Sequence, residues 1–137
     1  MLTRIAHAAK RFWGYSEELI ALWRADLTVT ADFVANNLVY CATLGETIIG
    51  FCAVSGKGAI RELEHMWVLP EHMRTGMGTK LLRSALDVIR AEGAATLRIA
   101  SDPNAEAFYL RLGARRVGTV PSTPVGRTLP LLELSLR

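Results

Sequence analysis

The sequence predicts an α/β fold of the α+β type, a mixed central sheet flanked by helices. Three observations predict it. Residues 2–13, 17–27 and 76–91 carry apolar side chains at three- and four-residue intervals. The β-rich runs "LVYCATL" and "TIIGFCAVS" are separated only by Gly45-Glu46, a tight hairpin signal. Beyond residue 60, strand-like and helix-like segments alternate, so crossover connections join the hairpins in one sheet.

Each element follows from its residues. In "LTRIAHAAKRFW", Leu2, Ile5, Ala9 and Phe12 mark one helical face, and Gly14 ends the helix. Ser16 is placed to cap a second helix, "EELIALWRADL", with Glu17 and Glu18 in the first turn where the dipole favours carboxylates. Its expected buried side chains are Leu19, Ile20, Leu22, Trp23 and Leu27. Thr30 caps a short helix over 31–36. After the hairpin, Lys57 between Gly56 and Gly58 marks a turn, and "IRELEHMWV" alternates. Strict alternation puts Arg61, Leu63, His65 and Trp67 on one face and Glu62, Glu64 and Met66 on the other. Pro70 stops that strand. A helix from about Gly76 to Ala91 carries the stripe Leu81, Leu82, Ala85, Leu86 and Ile89, with Gly93 at its C-terminal cap. "TLRIA" is a strand, "NAEAFYLRL" a helix ended by Gly113, and "ARRVGTV" and "LPLLELSL" are closing strands around a loop at 121–127.

The totals bound the function. The chain has 137 residues, which makes one domain, 1–137, with room for a core. Half of the residues (50%) are hydrophobic and 21% are charged, which excludes a disordered chain. No apolar run is long enough to span a bilayer, and no secretory leader is expected, so the reading is a cytoplasmic protein without a membrane partner. Cys41 and Cys52 make neither a disulfide framework nor a metal cluster, and both are expected as small buried thiols. No metal ligand set is expected. The net charge of +3 is scattered, which argues against a nucleic-acid partner and suits a small anionic ligand.

"MRTGMGTKLL" sets Gly76 and Gly78 where a helix must start, although glycine costs ~1 kcal/mol against alanine in a helix interior. The first turn of a helix leaves backbone N–H groups without partners, and these with the dipole make an anion site. Glycine lets a bulky phosphate approach. The same residues also suit a tight turn with close helix–strand packing. The segment lacks both the GK[ST] ending of the nucleoside-triphosphate loop and the three-glycine dinucleotide fingerprint.

"WVLPEHMRTGMGTKLL" resembles the acetyl-CoA-binding signature of the GCN5-related N-acetyltransferases (GNAT): a strand, V-x-P, then [RQ]-x-x-G-x-[GA] opening a helix. Val68, Pro70, Gly76 and Gly78 match; Met73 stands where that family has Arg or Gln. "NAEAFYLRLGA" resembles the family's second pattern, N-x-x-A-x-x-x-Y-x-x-x-G, shortened between Asn and Tyr. The resemblance covers about residues 38–136. It implies a GNAT-like sheet, here with the usual first strand absent or truncated.

The resemblance implies acetyl-CoA as cosubstrate and direct N-acetyl transfer to a primary amine of a small molecule or peptide. It places Arg74, Thr75, Gly76, Met77, Gly78 and Thr79 on the pyrophosphate, with Arg74 in place of the missing charge at Met73. Asn104 meets the pantetheine or phosphate arm. The strand residues Met66, Trp67 and Val68 pair with that arm, and an N–H near Val68 polarises the thioester. Tyr109 becomes the general acid at the thiolate; on its own residues it reads as a core aromatic beside Phe108 with a satisfied hydroxyl. Glu62 matches a catalytic glutamate of some members, and with Glu64 it serves as base, as a seat for a cationic acceptor, or as a solvated strand face. Trp13 and Tyr15 become an aromatic wall for the acceptor, or a cluster capping two helices. A non-catalytic CoA sensor on the same fold is the alternative function, and a homodimer is compatible with the family.

Overall fold

In the computed structural model, which describes residues 1–137, the chain opens with α1 (Leu2–Phe12), α2 (Glu17–Leu22), α3 (Arg24–Leu27) and α4 (Ala31–Asn36). The meander β1 (Leu38–Leu44), β2 (Thr47–Ser55) and β3 (Ile60–Val68) follows. After a 3-10 turn at Pro70–His72 come α5 (Met77–Ala91), β4 (Thr96–Ala100), α6 (Glu106–Arg111), β5 (Arg115–Pro121) and β6 (Thr128–Ser135). The six strands form one sheet in the order β1-β2-β3-β4-β6-β5. Only β3 and β4 run parallel, and every other pairing is antiparallel.

The sequence signals act as expected at most ends. The side chains of Ser16 and Thr30 accept from the N–H groups of Leu19 and Phe33, capping α2 and α4. Gly45 turns the β1–β2 hairpin at φ 63°. The sheet separates two apolar clusters. On one face α5 buries Leu81, Leu82, Ala85, Leu86 and Ile89 against Cys52, Val54, Leu97, Ile99 and Leu132, with Tyr109 of α6 in the same cluster. On the other, Ile5, Ala6, Ile20, Trp23 and Leu27 of α1–α3 close over Phe51.

Four expectations need correction. The second helix is broken: Trp23 takes φ −90°, ψ 9° between α2 and α3, and its indole N–H donates to the Thr123 carbonyl at 2.9 Å. A bond to a residue 100 positions away fixes that ring and costs the helix its continuity. Leu22, expected inside, is 54% exposed as a result. Strict alternation in β3 also fails. Ala53 pairs with His65 but Val54 pairs with Leu63, so Glu64 is the extra residue of a bulge. Leu63 therefore packs with Met66 against the α5 cluster, while Trp67 packs on the α1 side and His65 lies against Phe51 and Phe33. Finally, Cys41 is exposed on the edge strand β1, whereas Cys52 is buried and its thiol is pushed up to about 12 by burial.

The feature that positions the site is the β3–β4 junction. These strands pair only at Ile60–Thr96, Arg61–Leu97 and Glu62–Arg98. Beyond Glu62, β3 stays paired with β2 and β4 with β6, so the two halves of the sheet part and leave β3 with an unpaired edge.

Candidate active site

Above that gap lies a cleft of about 540 Å³, within the range of ~300–1,000 Å³ common for small-molecule sites. Three elements build it. The open edge of β3 contributes Met66, Trp67 and Val68; the loop and start of α5 contribute Met73, Arg74, Gly76, Gly78 and Thr79. The segment around α6 contributes Asn104, Ala107, Phe108 and Arg111, spaced as one helical face, together with Ala105 and Tyr109. Ala9, Phe12 and Trp13 of the α1 end close the side.

The glycines have separable roles. Gly76 caps α5 at φ 83°, a left-handed conformation that side chains resist. The first intrahelical bond there runs from Lys80 N–H to Gly76 C=O. The N–H groups ahead of it are therefore unpaired within the helix. Gly78 has an ordinary helical conformation, and a Cβ there would meet only Met66 at 3.4 Å and Phe108 at 3.5 Å, ordinary contact distances. Nothing in the protein requires glycine at 78. What a side chain there would occupy is cleft. An unpaired amide row, a positive dipole end and an open approach fit a phosphate group, and Arg74 and Arg111 line the same cleft.

A smaller cavity of about 130 Å³ continues inward between β3 and β4. It shares Trp13, Met66, Trp67, Ala105 and Tyr109 with the cleft, so these five residues stand at the junction of the two. Tyr109 is buried, no side chain of the protein is hydrogen-bonded to its hydroxyl, and burial raises its pKa well above the ordinary tyrosine value. The hydroxyl therefore stays protonated at neutral pH.

The inner cavity is walled by charges that the sequence analysis did not single out. Lys10 forms an ion pair with Asp102, both side chains under a tenth exposed. Asp102 also accepts from the Tyr15 hydroxyl at 3.1 Å and from the backbone and side-chain N–H groups of Asn104, each at 2.9 Å. Burial pulls the Lys10 pKa down, against its bond to Asp102, whose own pKa is lowered chiefly by that bond in spite of burial. The Lys10 ammonium lies 4.5 Å from the Trp23 ring and 4.8 Å from Tyr15, with Trp13 and Trp67 further out. Arg127 stacks on Trp23 at 4.5 Å. His65 is buried and its pKa is lowered by burial; its Nδ1 accepts from the Trp67 indole at 3.0 Å, which fixes that ring beside Trp13.

The expected site residues divide accordingly. Met66, Trp67, Val68, Arg74, Gly76, Gly78, Thr79, Asn104 and Tyr109 line the cleft, with Trp13. Thr75 turns its hydroxyl to the His72 carbonyl and Met77 packs towards the α5 core, so neither side chain reaches the cleft. Tyr15 supports the wall from behind through Asp102 and Asn104. Glu64 is exposed and lines part of the inner cavity; its carboxylate accepts from Ser55, which lies outside that lining, at 2.7 Å. Glu62 is exposed in the paired stretch of β3 and lines neither cavity. Arg111 was recoverable from helical spacing with Asn104, Ala107 and Phe108; Lys10, Asp102 and Arg127 carry no local signal.

A sheet that opens beside a helix start with free amides makes this an α/β protein with a cleft suited to a phosphate-bearing ligand. Residues 35–113, more than half of the chain, match the family model described as the acetyltransferase (GNAT) domain, and the chain belongs to that family. It is 26% identical to the peptidyl-lysine N-acetyltransferase YjaB of Salmonella typhimurium over 86% of this chain and 89% of that protein. A GCN5-related N-acetyltransferase structure from Rhodopseudomonas palustris superposes with a TM-score of 0.81 at 22% identity, covering 98% of this chain and 87% of that one. The PaiA N-acetyltransferase of Thermoplasma acidophilum, solved with coenzyme A, gives 0.73 at 19% identity over 98% and 90%. At these identities the structural likeness establishes the fold. Acetyl-CoA as cosubstrate fits the family. No helix is long and apolar enough to cross a membrane.

Proposed function

We propose that the protein is an acetyl-CoA-dependent N-acetyltransferase acting directly on a primary amine. The observation that carries this reading is the joint lining of one cleft by the free amides of α5, the unpaired edge of β3 and the buried hydroxyl of Tyr109. Acetyl-CoA supplies the activated acetyl group as a thioester. The amides at residues 76–79 take its pyrophosphate, with Arg74 and Arg111 adding charge. The β3 edge from Met66 to Val68 pairs with the amide-bearing arm as an added strand does, and orients the thioester carbonyl towards a backbone N–H. Asn104 holds the arm from the α6 side. Tyr109, kept protonated by burial, delivers a proton to the departing thiolate.

Of the two paired glutamates, Glu64 is the one that reaches the inner cavity. We assign it, directly or through water, to removing the proton from the incoming ammonium. Trp13 and Trp67 wall the passage between the two cavities. A second reading, a CoA-binding domain without turnover, is favoured by one observation: apolar Met73 lines the cleft where the family pattern carries a polar or charged residue.

Isothermal titration with acetyl-CoA, followed by thiol release across an amine panel, tests the reading. Binding with turnover supports it. Binding without turnover on any amine transfers the case to the sensor reading, and no binding removes both.

A further inference from the structure

We infer that the acceptor is a small amino acid-like zwitterion, its amine lying towards Glu64 and Tyr109 and its carboxylate on Arg127. The inference rests on the acetyl transfer proposed above and names its substrate class. Four charged side chains line the inner cavity: Lys10, Glu64, Asp102 and Arg127. Two of them cancel. Lys10 and Asp102 form a buried ion pair, and the Asp102 carboxylate is further saturated by Tyr15 and Asn104.

The remaining charges are Glu64 and Arg127, which stand on different walls. Glu64 is the bulged residue of β3, on one side of the gap. Arg127 ends the β5–β6 loop on the other, 3.7 Å from Asp102 beyond the end of β4. Of the five N–H donors of a guanidinium, only two are used, towards Ser122 at 2.9 Å and Tyr15 at 3.4 Å. Its side chain is 19% exposed. Its carboxylate neighbour, Asp102 at 3.7 Å, lies beyond hydrogen-bond reach and is already held by Lys10, Tyr15 and Asn104, so three N–H donors of this half-buried guanidinium remain open to an incoming anion. A carboxylate takes a guanidinium's paired donors in its own plane. The cavity, about 130 Å³, has the volume of about four waters at ~30 Å³ each, a space on the scale of a small amino acid.

The step balances. The ammonium loses one proton to Glu64 or its water. The amine nitrogen then forms a bond to the thioester carbonyl carbon and the carbon–sulfur bond breaks. The thiolate takes its proton from Tyr109, which recovers one from the nitrogen. The products are an N-acetylated acid, free thiol and one released proton.

The test measures thiol release at fixed acetyl-CoA for alanine and 3-aminopropanoate, against alaninamide, ethylamine, 1,4-diaminobutane and a capped lysine peptide. The expected result is a kcat/KM at least tenfold higher for the two acids than for the others. In Arg127→Gln, KM for the acids is expected to rise at least tenfold with the acetyl-CoA KM unchanged, and the preference over the amide is expected to vanish. Arg127→Lys, which keeps the charge, restores part of it and serves if the glutamine variant does not fold. Equal or faster acetylation of the amide, the diamine or the peptide overturns the inference and leaves acetyl transfer standing. Acetyl-CoA binding with no turnover of either acid overturns it as well. Failure to bind acetyl-CoA at all removes the transfer reaction itself.

Discussion

Replacing Lys10 by methionine removes one member of the buried pair and leaves Asp102 behind. Methionine keeps most of the stem length, so the change isolates the charge. Breaking a buried ion pair by removing one partner costs ~3–5 kcal/mol, because the survivor is an uncompensated charge. Here the survivor keeps the Tyr15 hydroxyl, the two Asn104 donors and, at 3.7 Å, Arg127, which places the expected cost of Lys10→Met near the lower end, about 3 kcal/mol. The loss of four aromatic neighbours around the ammonium adds to this by ~0.5–2 kcal/mol. Urea unfolding followed by fluorescence would read it as a lower midpoint at unchanged slope. The double variant Lys10→Met/Asp102→Asn, which removes both charges, is expected to recover at least half of the loss. Acid sensitivity should move as well. In the parent, the lowered pKa of Asp102 means that its contribution is present above the ordinary carboxylate value and is lost only as the pH falls through the depressed folded one. Without Lys10 the folded pKa of Asp102 rises towards or above the unfolded one, so less stability is lost on acidification and the acid limb of the profile should flatten. A single variant costing under ~1 kcal/mol, or a double variant as unstable as the single, would refute the account of Lys10 and Asp102 as a mutually dependent buried pair.

Three further outcomes are expected. Gly78→Ala should leave the fold intact or stabilise it by up to ~1 kcal/mol through helix propensity, while weakening acetyl-CoA binding by titration calorimetry; unchanged affinity would remove Gly78 from the phosphate site. Tyr109→Phe should preserve acetyl-CoA affinity and lower turnover by ~10²-fold if a general acid is lost, and turnover equal to the parent would assign the hydroxyl no role. His65 and His7 have folded pKa values below 6.5, chiefly through burial. The unfolded chain therefore binds more protons as the pH drops below 6.5, and stability should decline from there down to the folded values; thermal melts from pH 8 to 5 check this, and His65→Gln should flatten the profile.

The elements legible in the sequence are those whose causes are local. The α5 stripe, the Gly45 turn and the Ser16 and Thr30 caps need only neighbours within a turn of chain, and each lies where its residues place it. The cleft was legible through Gly76, Gly78 and Asn104, because a helix start left open by glycines writes itself into consecutive residues. The inner cavity was not. Lys10, Asp102 and Arg127 span most of the chain and meet only once the sheet is assembled. The break at Trp23 has the same origin, a partner at Thr123. The reversal of faces in β3 follows from one bulged residue, Glu64, which period-two reasoning cannot foresee and which itself lines the cavity while Glu62 stays outside.

The three residue pairs that join β3 to β4 give the sheet a seam fastened at one end only. A molecule laid along the open part of β3 and held by α5 and Asn104, as proposed for acetyl-CoA, would do more than wait to react: it would stitch the meander to the C-terminal strands, so the cosubstrate would double as a missing structural thread. The loaded enzyme should accordingly melt higher than the empty one, with amide exchange slowed along both lips of the seam and not only where the ligand touches.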